Sequence, residues 1–444
     1  MSMEETTPIR KKIIIAVCIA LFVVVCVLLI LLYAPQPMRV DWSRVKPIEN
    51  NVMLLAPNEG GNPTDAPALV KMQENGLIDD SPWRVLQFTD MHLSDKMDGT
   101  ERTINNFLDA MYKERPDYIV LTGDIITSIR GRSRAIQLAE IMEKLGIYWS
   151  YCLGNHEGDQ IFALSRAELM SILEKYPHAL LDDDVKRTES GEKVWGIGNF
   201  VVNLLGADYK VVQSMIFMDS GDAITKADAK KVGVAKDSYD FLKDSQKTWY
   251  EEQVRKVTNN LTNGVKTMLF IHIPLVEQAN VKYLPAGEGV PSGWSEIPNS
   301  EVKKGGSVIG RLVIKDGWNV VEGTANYESC CSSDYNNGMY DLMKSLRAGV
   351  NALFNGHDHI NNSILYEDCD PGEKPLYLAY GTCSGYATYS LYSNGKTDDP
   401  TNLMKGYAVI EIKADSSFDL YSVWYEKDYA LIPRVIDGMP YQAA

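Results

Sequence analysis

From residue 84 onward, short apolar runs alternate with stretches whose apolar positions recur every three or four residues. Residues 84–89 and 118–122 read as strands, and between them Ile104, Phe107, Leu108 and Met111 share one face of a helix. A second helix carries Ile136, Ala139, Ile141, Met142 and Leu145, and residues 148–153 make a third strand. Ser165-Arg166-Ala167-Glu168 has the form of a capping box, opening a helix to about Tyr176. Strands at 200–205 and 211–218, a helix at 245–257, and strands at 266–271 and 350–354 follow. The tail (375–380, 407–412, 418–424) is rich in strands. Alternation of this kind predicts an α/β fold with functional groups on loops beyond strand ends. Residues 273–355 hold Gly, Pro and Ser clusters, which fit a substrate-facing excursion or a solvated insertion equally well.

The N-terminal pattern is different. Residues 13–33 carry no charge, and as a helix they span roughly 31 Å, the depth of a bilayer's hydrocarbon core. A cleaved signal is the rival reading, but its apolar core is usually about 7–15 residues long. Ala34-Pro35-Gln36-Pro37 is also a poor cleavage site. Arg10, Lys11 and Lys12 abut the run, whereas Arg39, Arg44 and Lys46 follow it at a distance. The expected topology is therefore a single-pass, type II signal-anchor with the folded part lumenal or extracellular. Prolines 35, 37, 47, 57, 63, 67 and 82, with Gly60-Gly61, make 34–82 read as a stalk. The chain then divides into a tail (1–12), a membrane helix (13–33), the stalk (34–82), one catalytic domain (83–430) and a C-terminal tail (431–444).

A net charge of −15 over 444 residues excludes nucleic acid as a natural partner, because a phosphate backbone needs a basic surface. It does not exclude small phosphate esters, since bound cations dominate the field at a site. Outside the apolar helix, Cys152, Cys330, Cys331, Cys369 and Cys383 allow one disulfide, joining Cys330 or Cys331 to Cys369 or Cys383. Two glycosylation sequons occur, at Asn260 and Asn361.

Five of the six histidines lie in polar clusters, each just after a strand-like run: Asp90-Met91-His92, Gly123-Asp124, Gly154-Asn155-His156-Glu157, His272, and Gly356-His357-Asp358-His359. Histidine, aspartate and asparagine form an oxygen/nitrogen donor set suited to Zn, Mn or Fe. Five clusters offer more donors than one ion uses, so two divalent ions are expected. His178 stands apart and reads as a surface residue. Arg130, Arg132 and Arg134 read as a solvated loop rather than a phosphate clamp.

Taken in this order, D-x-H, GD, GNHE, H and GHxH, the clusters resemble the signature of the calcineurin-like metallophosphoesterase superfamily. The resemblance covers about residues 84–359. It implies an αββα sandwich of two mixed sheets flanked by helices. Asp219-Ser220-Gly221, Trp249, His272-Ile273-Pro274 and Glu322-Gly323 are similar to a purple-acid-phosphatase-like branch. Thr127 stands where purple enzymes carry a tyrosine ligand, and those enzymes lack a histidine at the position of His92, so no purple colour is expected.

By the same resemblance, Asp90, His92 and His359 hold one ion, Asn155, His272 and His357 the other, and Asp124 bridges both. His156 would serve the leaving oxygen, while Glu157 and Asp358 would orient the ligands from behind. The implied reaction is hydrolysis of a phosphate ester by metal-activated hydroxide. Monoesters, including phosphoserine or phosphothreonine, come first, and diesters of nucleotides or lipid headgroups second. A non-catalytic ectodomain is the third reading.

Overall fold

A computed structural model describes residues 3–33, 37–159, 163–304, 307–389, 404–425 and 433–440. Two sheets form the centre. One has nine strands, in the order Val52–Leu55, Ala68–Lys71, Phe200–Leu205, Val211–Phe217, Lys266–Phe270, Val350–Asn355, Tyr377–Tyr380, Ile364–Glu367, Trp318–Val320. The other has seven, in the order Met439–Pro440, Pro433–Ile436, Phe418–Trp424, Gly406–Ile412, Trp83–Phe88, Tyr118–Thr122, Tyr148–Cys152. Both are mixed, with parallel pairing among the strands that precede the polar clusters.

The sheets meet through their inner faces. Val85, Val120 and Ile410 of one sheet share a buried core with Val202, Met215 and Met268 of the other. Phe200, Phe217, Phe270 and Phe354 stack across four strands with centroids 4.6, 5.1 and 5.1 Å apart. The outer face of the seven-stranded sheet is covered by the helices Met97–Glu114, Gly131–Leu145 and Arg166–Leu173. Ile104, Phe107, Leu108 and Met111 are the buried stripe of the first. Helices Asp244–Val257 and Met339–Ser345 cover the outer face of the nine-stranded sheet. This is the expected αββα sandwich. Ser165 and Glu168 make the expected capping box, each side chain satisfying the other's backbone N–H.

The structure departs from expectation at four places. Residues 38–82 are part of the folded body rather than a stalk: Met38 is only 3% exposed, and Val45 and Ile48 lie in the same core. Ala68–Lys71 is buried throughout and pairs in parallel with Phe200–Leu205. Proline-rich composition says nothing about burial. Part of the C-terminal stretch is likewise a strand, Pro433–Ile436, rather than a tail. All seven cysteines are free thiols, so the disulfide suggested by the cysteine count is not formed. Finally, residues 273–355 are more than loops: they include a four-stranded antiparallel sheet (Val281–Pro285, Trp294–Glu296, Val302–Lys304, Ser307–Lys315), an edge strand and a helix, with residues 285–290 exposed to solvent.

The N-terminal helix Met3–Tyr33 contains a segment, Lys11–Leu29, long and apolar enough to cross a membrane. Among the described residues nothing buries the side chains of Lys11–Leu29, Phe22 for example being 69% exposed.

Candidate metal centre

Each polar cluster sits where a parallel strand ends, and the backbone there is strained. Asp90, His92, Asp124 and His357 all have positive φ (52°, 44°, 52° and 82°), a region that costs a side-chain-bearing residue about 1 kcal/mol or more. Four such residues at one site mark a geometry held for function rather than for stability. The glycines of the clusters answer a different need, close approach. A Cβ on Gly154 would overlap Asp124 Oδ1, and one on Gly356 would overlap Thr89 Oγ1 and crowd Asp90 Oδ2.

These turns bring the distant side chains together. Asp90, His92, Asp124 and His359 form one group of donor atoms, and Asp124, His272 and His357 form a second. His359 Nε2 lies 3.4 Å from Asp90 Oδ1 and 3.0 Å from His92 Nε2. His272 Nε2 lies 3.2 Å from Asp124 Oδ2, 3.0 Å from Asn155 Oδ1 and 3.3 Å from His357 Nδ1. Asp124 is the only member of both groups. All seven expected ligands therefore converge on one place. Asp124 Oδ2 and Asp90 Oδ1 are buried facing imidazole nitrogens, at 3.2 Å and 3.4 Å, that are themselves expected ligands, an arrangement that is costly unless a proton or a cation offsets the charge.

The protonation pattern points the same way. Burial disfavours the charged form of His92, His359 adds like-charge repulsion, and its pKa falls to about 3. His357 falls to about 3 through burial and the neighbouring His272. Both are thus neutral, with a lone pair to offer. Burial opposes ionisation of Asp90, but hydrogen bonding and charge from His359 hold its pKa near 2. Asp124 lies well below the usual carboxylate range because His272 more than offsets the same penalty. Burial works against charge on His272, yet Asp124 raises its pKa to about 10. His272 Nδ1 already faces the Thr122 carbonyl at 2.7 Å, so its proton toward Asp124 occupies the place a cation would take. Oxygen and nitrogen donors, both carboxylates ionised and no thiolate, suit two ions of the Mn, Zn or Fe kind and leave the identity undetermined.

Behind the donors is a second layer. Glu157 is buried and accepts from the backbone N–H of Asp124 (3.1 Å), Ile125 (2.7 Å), Ile126 (3.2 Å) and Gly154 (2.7 Å), and from the Tyr151 hydroxyl (2.5 Å). One carboxylate thus ties the Gly-Asp turn to the Gly-Asn-His-Glu turn. Asp358 accepts from Tyr380 Oη (2.5 Å) and the Cys331 N–H (3.2 Å), so the excursion braces the last ligand loop. Burial pushes Asp358 up to about 7. Ser220 Oγ accepts the backbone N–H of His272 and Ile273, which explains the Asp219-Ser220-Gly221 block.

His156 lies at the rim, with its side chain 43% exposed and Nε2 4.0 Å from Asp124 Oδ2. Burial alone would lower its pKa, but Asp124 and the hydrogen bond to Asp159 raise it above the usual histidine value. Asp159 went unnoticed in the sequence, although its i+3 spacing from His156 was a legible signal; Nδ1 and Oδ2 are 2.5 Å apart. Tyr239, edge-on to His357 at 4.5 Å, and Tyr389, stacked on His359 at 4.4 Å, left no signal at all. His178 is half-buried and bound to Glu143 rather than free on the surface. Arg130 is paired with Asp95 at 2.7 Å and Arg134 is buried in a helix, so neither belongs to a solvated loop. Asn361 is buried and accepts from Tyr327 and Glu328, which rules it out as a glycan site in this fold.

Residues 84–361 match the model of the family described as calcineurin-like phosphoesterase. Among curated relatives, "Probable inactive purple acid phosphatase 28" of Arabidopsis thaliana is 25% identical over 70% of this chain and 72% of its own length. "Phosphatase DCR2" of Saccharomyces cerevisiae is 27% identical over 72% of this chain and 50% of its own. A solved dimetal phosphatase from Danio rerio is 11% identical, with a TM-score of 0.46 over 80% of this chain and 99% of that one.

Proposed function

The chain belongs to the calcineurin-like phosphoesterase family, and on that footing we propose that it is a membrane-anchored, dinuclear-metal phosphatase acting on phosphate monoesters. The observation that carries this reading is the convergence of two buried carboxylates, Asp90 and Asp124, with four buried or nearly buried histidines. When bound there, two dications supply charge neutralisation for phosphate oxygens and lower the pKa of water. The chain's own residues do the rest. Asp90, His92 and His359 would hold one ion and Asn155, His272 and His357 the other, with Asp124 shared by both donor groups. Asp124 Oδ1 also accepts the backbone N–H of His156 at 2.8 Å, fixing the turn that carries this imidazole. His156 is biased toward its charged form, as a donor to a leaving oxygen must be.

The purified full-length protein should contain close to two metal equivalents per chain and hydrolyse p-nitrophenyl phosphate faster than its bis-ester. Preference for the bis-ester would turn the assignment to a phosphodiesterase. His156→Ala should slow alkyl phosphates, whose leaving group needs a proton, by about 10²-fold or more, and p-nitrophenyl phosphate by much less. Equal losses on both would remove the proton-donor role.

Relatives named inactive supply a second reading, a metal-holding domain without turnover. The complete donor set of this chain argues for the enzyme. The apolar N-terminal helix supports anchoring, with Arg10, Lys11 and Lys12 on the cytoplasmic side and the sandwich lumenal or extracellular.

A further inference from the structure

The distance between the apolar helix and the folded body is short. The helix ends at Tyr33 and Met38 is already buried, so five Cα–Cα steps connect them, a reach of at most about 18 Å. The polar layer of a bilayer takes up about 5–8 Å of that on each side. The point of attachment therefore stands no more than about 10–13 Å above the headgroups.

Attachment is also at a particular end of the sandwich. Met38 N–H donates to Gln137 Oε1 (2.6 Å), six residues into the helix Gly131–Leu145, and Arg39 pairs with Asp98 (3.2 Å) in the first turn of Met97–Glu114. The chain then runs down both helices: Arg44 meets Asn105 and Asp109, Lys46 N–H meets Tyr112, and Ile48 N–H meets the Leu145 carbonyl. It enters beside the first turn of Met97–Glu114 and half-way along Gly131–Leu145. Both helices follow strands whose far ends carry Asp90 and Asp124, the first of them beginning five residues after His92, so the anchor joins the fold toward the end where the metal donors lie. A body roughly 50 Å across, tied by so short a link at one end, keeps that end nearest the membrane. Tyr389, stacked on His359 and 46% exposed, adds an aromatic rim of the type favoured at bilayer surfaces.

We infer that the mouth of the metal centre faces the bilayer carrying the anchor, and that its substrate is a phosphate monoester on a lipid headgroup. A gap of about 10–13 Å admits a headgroup but not a folded phosphoprotein domain about 30 Å across. The inference rests on the anchored-phosphatase reading and narrows its substrate class.

The test uses the full chain in vesicles containing phosphatidic acid and phosphatidylinositol monophosphates. Soluble glycerol phosphate, inositol phosphates and phosphopeptides are the comparison substrates, and p-nitrophenyl phosphate is the control. Released phosphate from the lipids should exceed that from every soluble substrate by about tenfold or more at equal bulk concentration. Inserting about 20 Gly/Ser residues after Gln36, a coil of roughly 25 Å, should cut lipid turnover at least about fivefold and leave the control unchanged. Energy transfer to headgroup dyes from a fluorescent residue at position 96 should exceed that from position 115, at the far end of the same helix. Lipid turnover unaffected by the insertion, faster release from phosphopeptides, or stronger transfer from position 115 overturns the inference while the phosphatase reading stands. No turnover of p-nitrophenyl phosphate by either form overturns both.

Discussion

Asp124→Asn is expected to lower kcat by about 10³-fold or more and to reduce bound metal below two equivalents per chain. Asp124 is the only residue in both donor groups, with Oδ2 at 3.2 Å from His272, 3.8 Å from His92 and 4.0 Å from His156. Asparagine keeps the volume and can still accept the His156 N–H through its carbonyl. It loses one of the two carboxylate charges within the donor groups and turns an amide donor or a neutral oxygen toward the cations. The fold should survive, because asparagine keeps the volume and the acceptor for the His156 N–H, and buried His272, which Asp124 holds charged, can shed its proton. Turnover of p-nitrophenyl phosphate, metal content by mass spectrometry and the thermal midpoint separate these effects. A variant retaining more than about a tenth of the wild-type rate would remove Asp124 from the bridging position.

Glu157→Ala should act on stability instead. It leaves four buried backbone N–H groups and the Tyr151 hydroxyl without the acceptor they share. Each lost partner costs about 1–3 kcal/mol, and even with water entering the gap the sum should reach about 4 kcal/mol or more. Against a total of about 5–15 kcal/mol, that is a large fraction of the stability of the fold. The methyl group also frees the Gly123-Asp124 and Gly154-Asn155 turns from one another, so metal affinity falls with stability. Glu157→Gln should be intermediate: its carbonyl still accepts, while its amide faces N–H groups head on. Burial and the nearby Asp124 raise the pKa of Glu157, while the Tyr151 hydroxyl and the backbone N–H groups it accepts from act the other way. What Glu157 supplies is a single rigid acceptor. Denaturant midpoints for the three proteins check the order, and a Glu157→Ala variant within about 1 kcal/mol of wild type would contradict it.

Much of the centre was legible before any coordinates. Asp90, Asp124, Asn155, His272 and His357 each follow an apolar run, and in parallel sheets such runs end on one edge, where loops converge. The chemistry of the donors and their order along the chain did the remainder. Other features were not legible because they depend on what lies nearby in space and not in sequence. Tyr389 reaches His359 and Tyr239 reaches His357 from segments with no motif of their own. Cys330 and Cys331 looked available for pairing, but Asp358 and Tyr380 lie beside them and no cysteine is bonded.

The stretch 34–82 is the clearest division between the two kinds of information. Its prolines and glycines constrain local conformation only. Whether such a segment stands free or wraps the domain depends on Met38, Val45 and Ile48 finding a groove between two helices distant in sequence. Local sequence determined the strands, the helix faces, the membrane-length apolar segment and the identity of the metal donors, because each follows from side-chain period and chemistry. Tertiary structure alone decided that residues 38–48 pack between two helices and which carboxylate ties the ligand loops together, because both depend on residues the chain order keeps apart.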